Sequence, residues 1–242
     1  MTAPLPDLPA PTFPPLLRGQ PVPAGVDPFV KAAAEAMAGA DPGLVVWSQD
    51  ATAARCAIVL APEQPLRAAL GAVHAVELGL ADCLGALAPP ELAVHFSWPD
   101  RLKVNGALCG RVRAAASSAE EEAVPEWLVI GFEVPLMPVH EAEPGETPDQ
   151  TTLYDEGCVE LATPQIIESW SRHMLAWLNR FLNDGPEPLH SAWRARCDTL
   201  GEHVEHPQRG VFMGLDEHGN MLLRDAAGTR AVPLSSMLEM TG

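Results

Sequence analysis

The chain has 242 residues, 47% hydrophobic and 19% charged, which is ordinary for a globular protein and long enough to bury a large core. Its formal net charge is −17, so it lacks the excess of Lys and Arg that neutralises phosphates, and nucleic acid is not an expected partner. No uninterrupted apolar run approaches the roughly 18 residues of a membrane helix, and a membrane is not an expected partner either.

The N-terminus has no early basic cluster and is broken by prolines, unlike a secretory signal. Five scattered cysteines, with no CxxC pair and an odd total, fit reduced thiols. A cytoplasmic location is the expectation. The eight histidines form no metal-ligand spacing, and the local pair His203 and His206 reads as a polar connector, so no tightly bound metal is expected. Lys31 and Lys103 are the two lysines, and each is weighed individually.

Residues 1–26 are rich in proline and read as an extended arm, packed on the surface or partly disordered. Asp27 caps a helix through FVKAAAEAMAGA, with Pro28 suited to its first position. LVVWSQD and CAIVLAP read as strands joined by a short connection. Pro65 to Leu87 reads as one long apolar helix buried across a sheet face. LAVHFSWP is a strand ending at a Trp-Pro step. In LKVNGALCGRVRAAA, Asn105-Gly106 marks a two-residue hairpin, because both residues tolerate positive φ. EWLVIGFEVPL is a further strand, followed by the polar loop HEAEPGETPDQ.

Thr163 is the expected cap of a strong amphipathic helix whose Ile166, Ile167, Trp170, Met174, Trp177, Leu178 and Phe181 share a face. Gly185-Pro186 ends it, and EPLHSAWRARCDTL is another helix. The last forty residues switch to short strands, with a hairpin at His218-Gly219-Asn220, as in a small barrel. The organisation expected is the arm (1–26), a large α/β domain (27–200) and a small C-terminal β domain (201–242).

The stretch His95 to Arg111, HFSWPDRLKVNGALCGR, resembles the signature of biotin protein ligases. Trp98-Pro99, the Asn105-Gly106 turn and Gly110 match its strand end, turn and following glycine. VIGFEVPLMP resembles the family strand V-I-G-x-G-I-N, with Gly131 at its first glycine, and VFMGLDEHGNMLLRD resembles the hairpin of the family's C-terminal barrel. The matches run in order from Asp27 onward. They imply an α/β (α+β) fold: a mixed β-sheet flanked by helices, of the biotin/lipoate ligase (class II synthetase-like) kind, with a small SH3-like barrel.

The resemblance also implies a chemistry. The family activates biotin with ATP and Mg²⁺, holds the adenylate and transfers biotin to a lysine of an acceptor domain; lipoate ligases and octanoyl transferases share the fold. The partners implied are therefore a small carboxylic acid (biotin, lipoate or octanoate) and an acyl-carrier or biotin-acceptor domain, with the protein a monomer or homodimer. No DNA-binding helix-turn-helix precedes the matched region, so a repressor role is not expected.

Three departures bear on that chemistry. The Gly-Arg-rich loop that closes over the adenylate is replaced by SQDATAAR, with Arg55 its one arginine. The family lysine, three positions before the hairpin glycine, is Ala107. Losing one such oriented charge costs about 2.7–4 kcal/mol of transition-state stabilisation. Asp100 and Arg101 stand where the family has asparagine and aspartate; the plainer reading pairs them with each other or with water. Lys103 and Arg111 are the candidate relocated cations of catalysis, and Arg55, Trp98, Asp100, Gly110 and Gly131 the candidate substrate-binding residues. Against each cation stands the plainer reading of a solvated hairpin face. Two further readings remain open: a silent binding or regulatory module on the ligase scaffold, and acyl transfer through a Cys109 thiolate.

Overall fold

Alternation along the strands sorts apolar side chains onto two buried faces of one sheet. The architecture comes from a computed structural model describing residues 9–138 and 149–239; most of the polar loop expected after Leu136 lies outside the described residues. Seven strands, β1 (Arg18–Val22), β2 (Leu44–Ser48), β3 (Ala53–Leu60), β4 (Val94–Ser97), β5 (Arg101–Val104), β6 (Ala107–Ala116) and β7 (Leu128–Pro135), form a sheet. Their order is β1-β2-β3-β7-β6-β5-β4. β1 and β2 are parallel and every other neighbouring pair is antiparallel, which is the mixed sheet expected.

On one face Val45, Trp47, Ile58, Ile130 and Phe132 pack against α3 (Ala72–Leu87) and α4 (Thr163–Asp184). On the other, Val46, Ala57, Val59 and Val129 pack beneath Phe29, Ala32 and Ala36 of α1 (Pro28–Met37). The stretch 66–87 is apolar enough by composition to resemble a membrane span, but 78% of its most apolar window is buried inside the protein. It is a core helix.

Local chemistry departs from expectation at three places. The proline-rich arm contributes β1, and Pro21 is tolerated there because an edge strand has one neighbour and can spare an N–H. The helix expected from Pro65 to Leu87 is divided into α2 (Leu66–Ala69) and α3, with the break at Leu70 and Gly71, where Phe181 of α4 packs directly on the glycine. Thr163 does not cap α4. Its hydroxyl donates instead to the Asp50 carbonyl (2.7 Å), and the α4 start is held by the Ala162 N–H donating to Gln165 Oε1 (2.9 Å).

The hairpin between β5 and β6 turns at Asn105 (φ 50°) and Gly106 (φ 91°) as expected. Its register then shifts. Lys103 opposes Leu108, but Leu102 opposes Gly110 and Arg101 opposes Arg111, so Cys109 is an extra residue in β6. Such a bulge re-aims the side chains beyond it.

After α5 (Pro186–Arg194) the chain forms a second, four-stranded antiparallel sheet. Its strands are β8 (His203–Val204), β9 (Gly210–Leu215), β10 (Met221–Asp225) and β11 (Gly228–Val232), in the order β11-β10-β9-β8. The Asp216 carboxylate organises the β9–β10 turn by accepting from the His218 and Asn220 N–H groups (2.9 and 3.0 Å). Phe212, Leu215, Met221 and Leu223 join the core beneath the large sheet. Trp98, 3% exposed, donates its Nε1–H to the Gly219 carbonyl (3.0 Å) and ties the two sheets together. Replacing that indole leaves a buried carbonyl unpaired, at a cost of about 1–3 kcal/mol. The Trp98→Phe variant is expected to melt about 2–12 °C below wild type in differential scanning calorimetry; an unchanged Tm refutes the tie.

Candidate functional site

β7 lies between β3 and β6, and the antiparallel register sets Arg55, Glu133 and Arg111 side by side across the three strands. Alternation places all three on the face that α1 covers, and Arg113 two residues on shares it. The N-terminus of α1 stops beside them. Asp27, Phe29, Arg55, Arg111, Arg113 and Glu133 line a cavity of about 180 Å³.

Charge inside this cavity is almost fully paired. Arg55 donates to Glu133 Oε1 (2.8 Å) and to Asp50 Oδ2 (2.5 Å). Arg113 donates to Asp27 Oδ2 (2.6 Å) and to both oxygens of Glu239 (2.7 and 2.6 Å), and its guanidinium lies 4.1 Å from the centre of the Phe29 ring. Burial alone would raise the Asp27 pKa, but hydrogen bonds from Arg113 and from the Phe29 and Val30 N–H groups outweigh it and hold the carboxyl below 3.8. Asp50 is likewise held low: burial raises it, while the Thr52 hydrogen bonds and Arg55 lower it further.

Arg111 is the exception. Its one ion pair among the described residues is a 3.5 Å contact with Glu133, and its side chain is 55% exposed. Directly across the hairpin stands Arg101, also exposed and in no ion pair among the described residues. Like charges directly opposite on neighbouring strands repel. Among the described residues this arginine pair carries more positive charge than its one carboxylate contact offsets.

The expected site residues do not all meet. Arg55 and Arg111 line the cavity, and Gly131 lies beneath it. A Cβ on Gly131 would come 2.9 Å from the Phe29 ring and 3.0 Å from the Cys56 carbonyl, so Phe29 already fills the space above it. Gly110 is small for a different reason: a Cβ there would lie 2.6 Å from the Glu133 carbonyl, so the neighbouring strand takes the room expected for a ligand. Trp98 belongs to the junction with the second sheet. Lys103 pairs with Asp198 (2.7 Å), which also accepts from Ser97 Oγ, and so ties β5 to the segment after α5, away from the cavity lining.

Asp100 forms no ion pair with Arg101 or with any other described residue; burial raises its pKa although Arg101 and Arg111 are near. Its carbonyl accepts from the Val112 N–H (2.7 Å). Cys109 is completely buried, and its thiol is pushed up to about 12 by burial and nearby acidic groups. That is the opposite of an activated thiolate and removes the acyl-transfer reading. Ala107 opposes Val104 at the hairpin end of β6, roughly 13 Å along the strand from Arg111. The connection between β2 and β3 is only residues 49–52, folded on itself by Asp50 accepting from the Thr52 N–H and hydroxyl.

Glu133 and Phe29 are lining residues that sequence reasoning passed over, while Arg101, beside the cavity, was read as paired with Asp100 or with water. A carboxylate inside the otherwise apolar LVIGFEVP was a usable signal for Glu133. The pairing of Arg101 with Arg111 was not visible, because it depends on the bulge. A larger groove of about 570 Å³, bordered by Pro42, Leu60, Leu178 and Leu182, has no cationic lining residue and none of the expected site residues.

Removing Arg113 tests whether the ion network holds α1 and the C-terminal segment to the sheet. Arg113→Met is expected to cost about 1–2 kcal/mol in urea unfolding at pH 7, between the values of exposed and buried pairs. Because the folded Asp27 pKa is depressed, its contribution is full above 3.8 and fades as the pH falls through the folded value. The gap between variant and wild type should close in that window, and equal stabilities at pH 7 would rule the network out as a fastening.

Comparison with known proteins places this geometry. The sequence model of the biotin/lipoate A/B protein ligase family matches residues 13–195. A biotin--[acetyl-CoA-carboxylase] ligase from Paracoccus denitrificans is 24% identical over 156 residues, which cover 61% of this chain and 64% of that protein. The chain thus spans under two thirds of that relative's length. A crystal structure of a biotin protein ligase-like protein of unknown function from a Silicibacter species is 45% identical, with a TM-score of 0.89, covering 96% of this chain and 100% of the other. The biotin protein ligase of Aquifex aeolicus has the same fold at 16% identity, with a TM-score of 0.70 over 90% of this chain and 96% of that one.

Proposed function

The chain belongs to the biotin/lipoate A/B protein ligase family, and on that premise we propose that it is a binding protein on the ligase scaffold, holding a small carboxylic acid at Arg111 without activating it through ATP. The observation that carries this reading is the charge pattern of the cavity. Arg55 and Arg113 are each committed to two carboxylates, while Arg111 has a single 3.5 Å contact and half its side chain in water. A guanidinium fork with free donors suits a planar carboxylate, and Arg101 opposite it adds a second positive charge.

The same residues do not fit an adenylate. Pockets that take drug-sized ligands enclose roughly 300–1,000 Å³, against about 180 Å³ here. Ala107 supplies no cation, and residues 49–52 are too few to close over a nucleotide. Glu133 and Asp27 add negative charge to the cavity lining, which disfavours phosphates there. ATP, Mg²⁺ and a protein-lysine acceptor are therefore left out of the proposed activity. All five cysteines are unpaired, in keeping with a reducing, cytoplasmic setting.

The test pairs two assays on the full chain. ATP–pyrophosphate exchange with biotin, lipoate or octanoate is expected to stay at background, while titration calorimetry detects binding of at least one of the three acids. Arg111→Ala should weaken that binding about 10- to 100-fold, the loss of a charge-assisted hydrogen bond. Glu133→Gln should strengthen it by freeing both arginines. Acid-dependent exchange, or binding of none of the acids, overturns the proposal.

A further inference from the structure

A second polar cluster lies on the opposite side of the large sheet, inside the core. His74 and Glu77 of α3 meet His190 and Trp193 of α5, and none of the four is more than 2% exposed. His74 Nδ1 lies 3.0 Å from Glu77 Oε2, and Trp193 donates its Nε1–H to the same oxygen at 2.7 Å. Glu77 Oε1 and His190 Nε2 have no hydrogen-bond partner among the described residues, and His74 Nε2 has no well-formed one, only a loose approach to the Gly219 backbone. Unpaired buried polar atoms gathered in one place are costly, and such clusters mark strain or a function.

The two histidine nitrogens converge on the second sheet. A Cβ on Gly219, in the β9–β10 turn, would lie 2.8 Å from His74 Nε2 and 3.4 Å from His190 Nε2. The turn therefore rests on both imidazoles, whose rings are 5.5 Å apart, and Trp98 holds the Gly219 carbonyl from a third side. Two imidazolium ions at that spacing, sealed from water, would repel each other. Burial disfavours the charged form of either one, and lifting the turn would open both to water.

We propose that this cluster is a pH-sensitive latch: it docks the C-terminal sheet most tightly near pH 6.5 and loosens it on mild acidification, with His190 as the acid sensor.

The sign follows from counting protons. Burial holds both histidines down at about 4, against 6.5 in the open. His190 is lowered further by His74 and Arg194, with Glu187 and Asp216 opposing. Glu77 is raised well above 4.5 by burial, offset in part by Trp193, with Asp100 adding to the rise. Docked, burial favours the net-neutral state, in which the His74–Glu77 pair holds one proton and His190 none. Released between pH 4.5 and 6.5, both histidines are protonated and Glu77 is ionised, so release takes up one net proton. One net proton changes the docking constant about tenfold per pH unit. Above pH 6.5 the released pair has lost its proton, and docking weakens as the pH rises.

Hydrogen exchange reads this opening even when it is rare. For the full chain, with exchange corrected for its intrinsic pH dependence, the opening constant of the β9 and β10 amides is expected to rise about tenfold per unit from pH 6.5 to 4.5. The β3 and β7 amides should not follow. His190→Gln removes the acid-side proton and should flatten that rise while keeping the weakening above pH 6.5. A flat wild-type profile, an equal rise in β3 and β7, or an undiminished rise in His190→Gln would overturn the latch. If the variant does not fold, the wild-type comparison of the two sheets decides alone.

Discussion

The Glu133 carboxylate, set by register between Arg55 and Arg111, governs what the exposed part of the sheet can do. It accepts from Arg55 at 2.8 Å and makes a 3.5 Å ion contact with Arg111. A carboxylate at this place turns a cationic surface into a nearly neutral lattice, closed at its other end by Arg113 between Asp27 and Glu239. α1 depends on the same lattice. Its cap residue, Asp27, gives one oxygen to the Phe29 N–H and the other to Arg113, and Phe29 then lies over Gly131. Cap, ring and ion pairs fill the space together, so the small cavity is a consequence of the charge pattern and not an independent feature.

Much of the fold was legible because it rests on local rules. The strand runs alternate, Asn105-Gly106 needs positive φ at both residues, and Asp27-Pro28 is a helix start that few other folds of the chain would satisfy. Misreadings fell where a distant partner outbids the local signal. Thr163 looks like a cap by type, yet its hydroxyl is drawn to the Asp50 carbonyl, 113 residues away in sequence. The proline-rich arm offers no strand signal, and β1 forms because β2 presents an open edge to it.

The candidate site was legible only by residue type. Arg55 and Arg111 could be suspected as scarce cations on an acidic chain, but their neutralisation depends on which side chains face them across the sheet. The bulge at Cys109 shows the limit most clearly. A regular two-residue hairpin would oppose Arg101 to Gly110; one extra residue opposes it to Arg111. That single shift creates the arginine pair, and nothing in ALCGRVR announces it.

Two polar clusters thus lie on opposite faces of one sheet, and they differ in how their charge is managed. The arginine lattice is partly open to water, keeps its groups ionised and satisfies them with oppositely charged partners. The His74–Glu77–His190 cluster is buried, and Glu187 and Asp216 do not offset that burial for His190, so it stays neutral and leaves polar atoms unpaired. An ionised, paired lattice is robust over a wide pH range, because its pKa values move away from neutrality. A sealed neutral cluster is the reverse: its histidines would titrate near neutrality if exposed, so its stability changes most where the lattice is indifferent. The fold keeps its acid-sensitive element at the joint between the two sheets, where release requires one turn to lift and not the whole core to open.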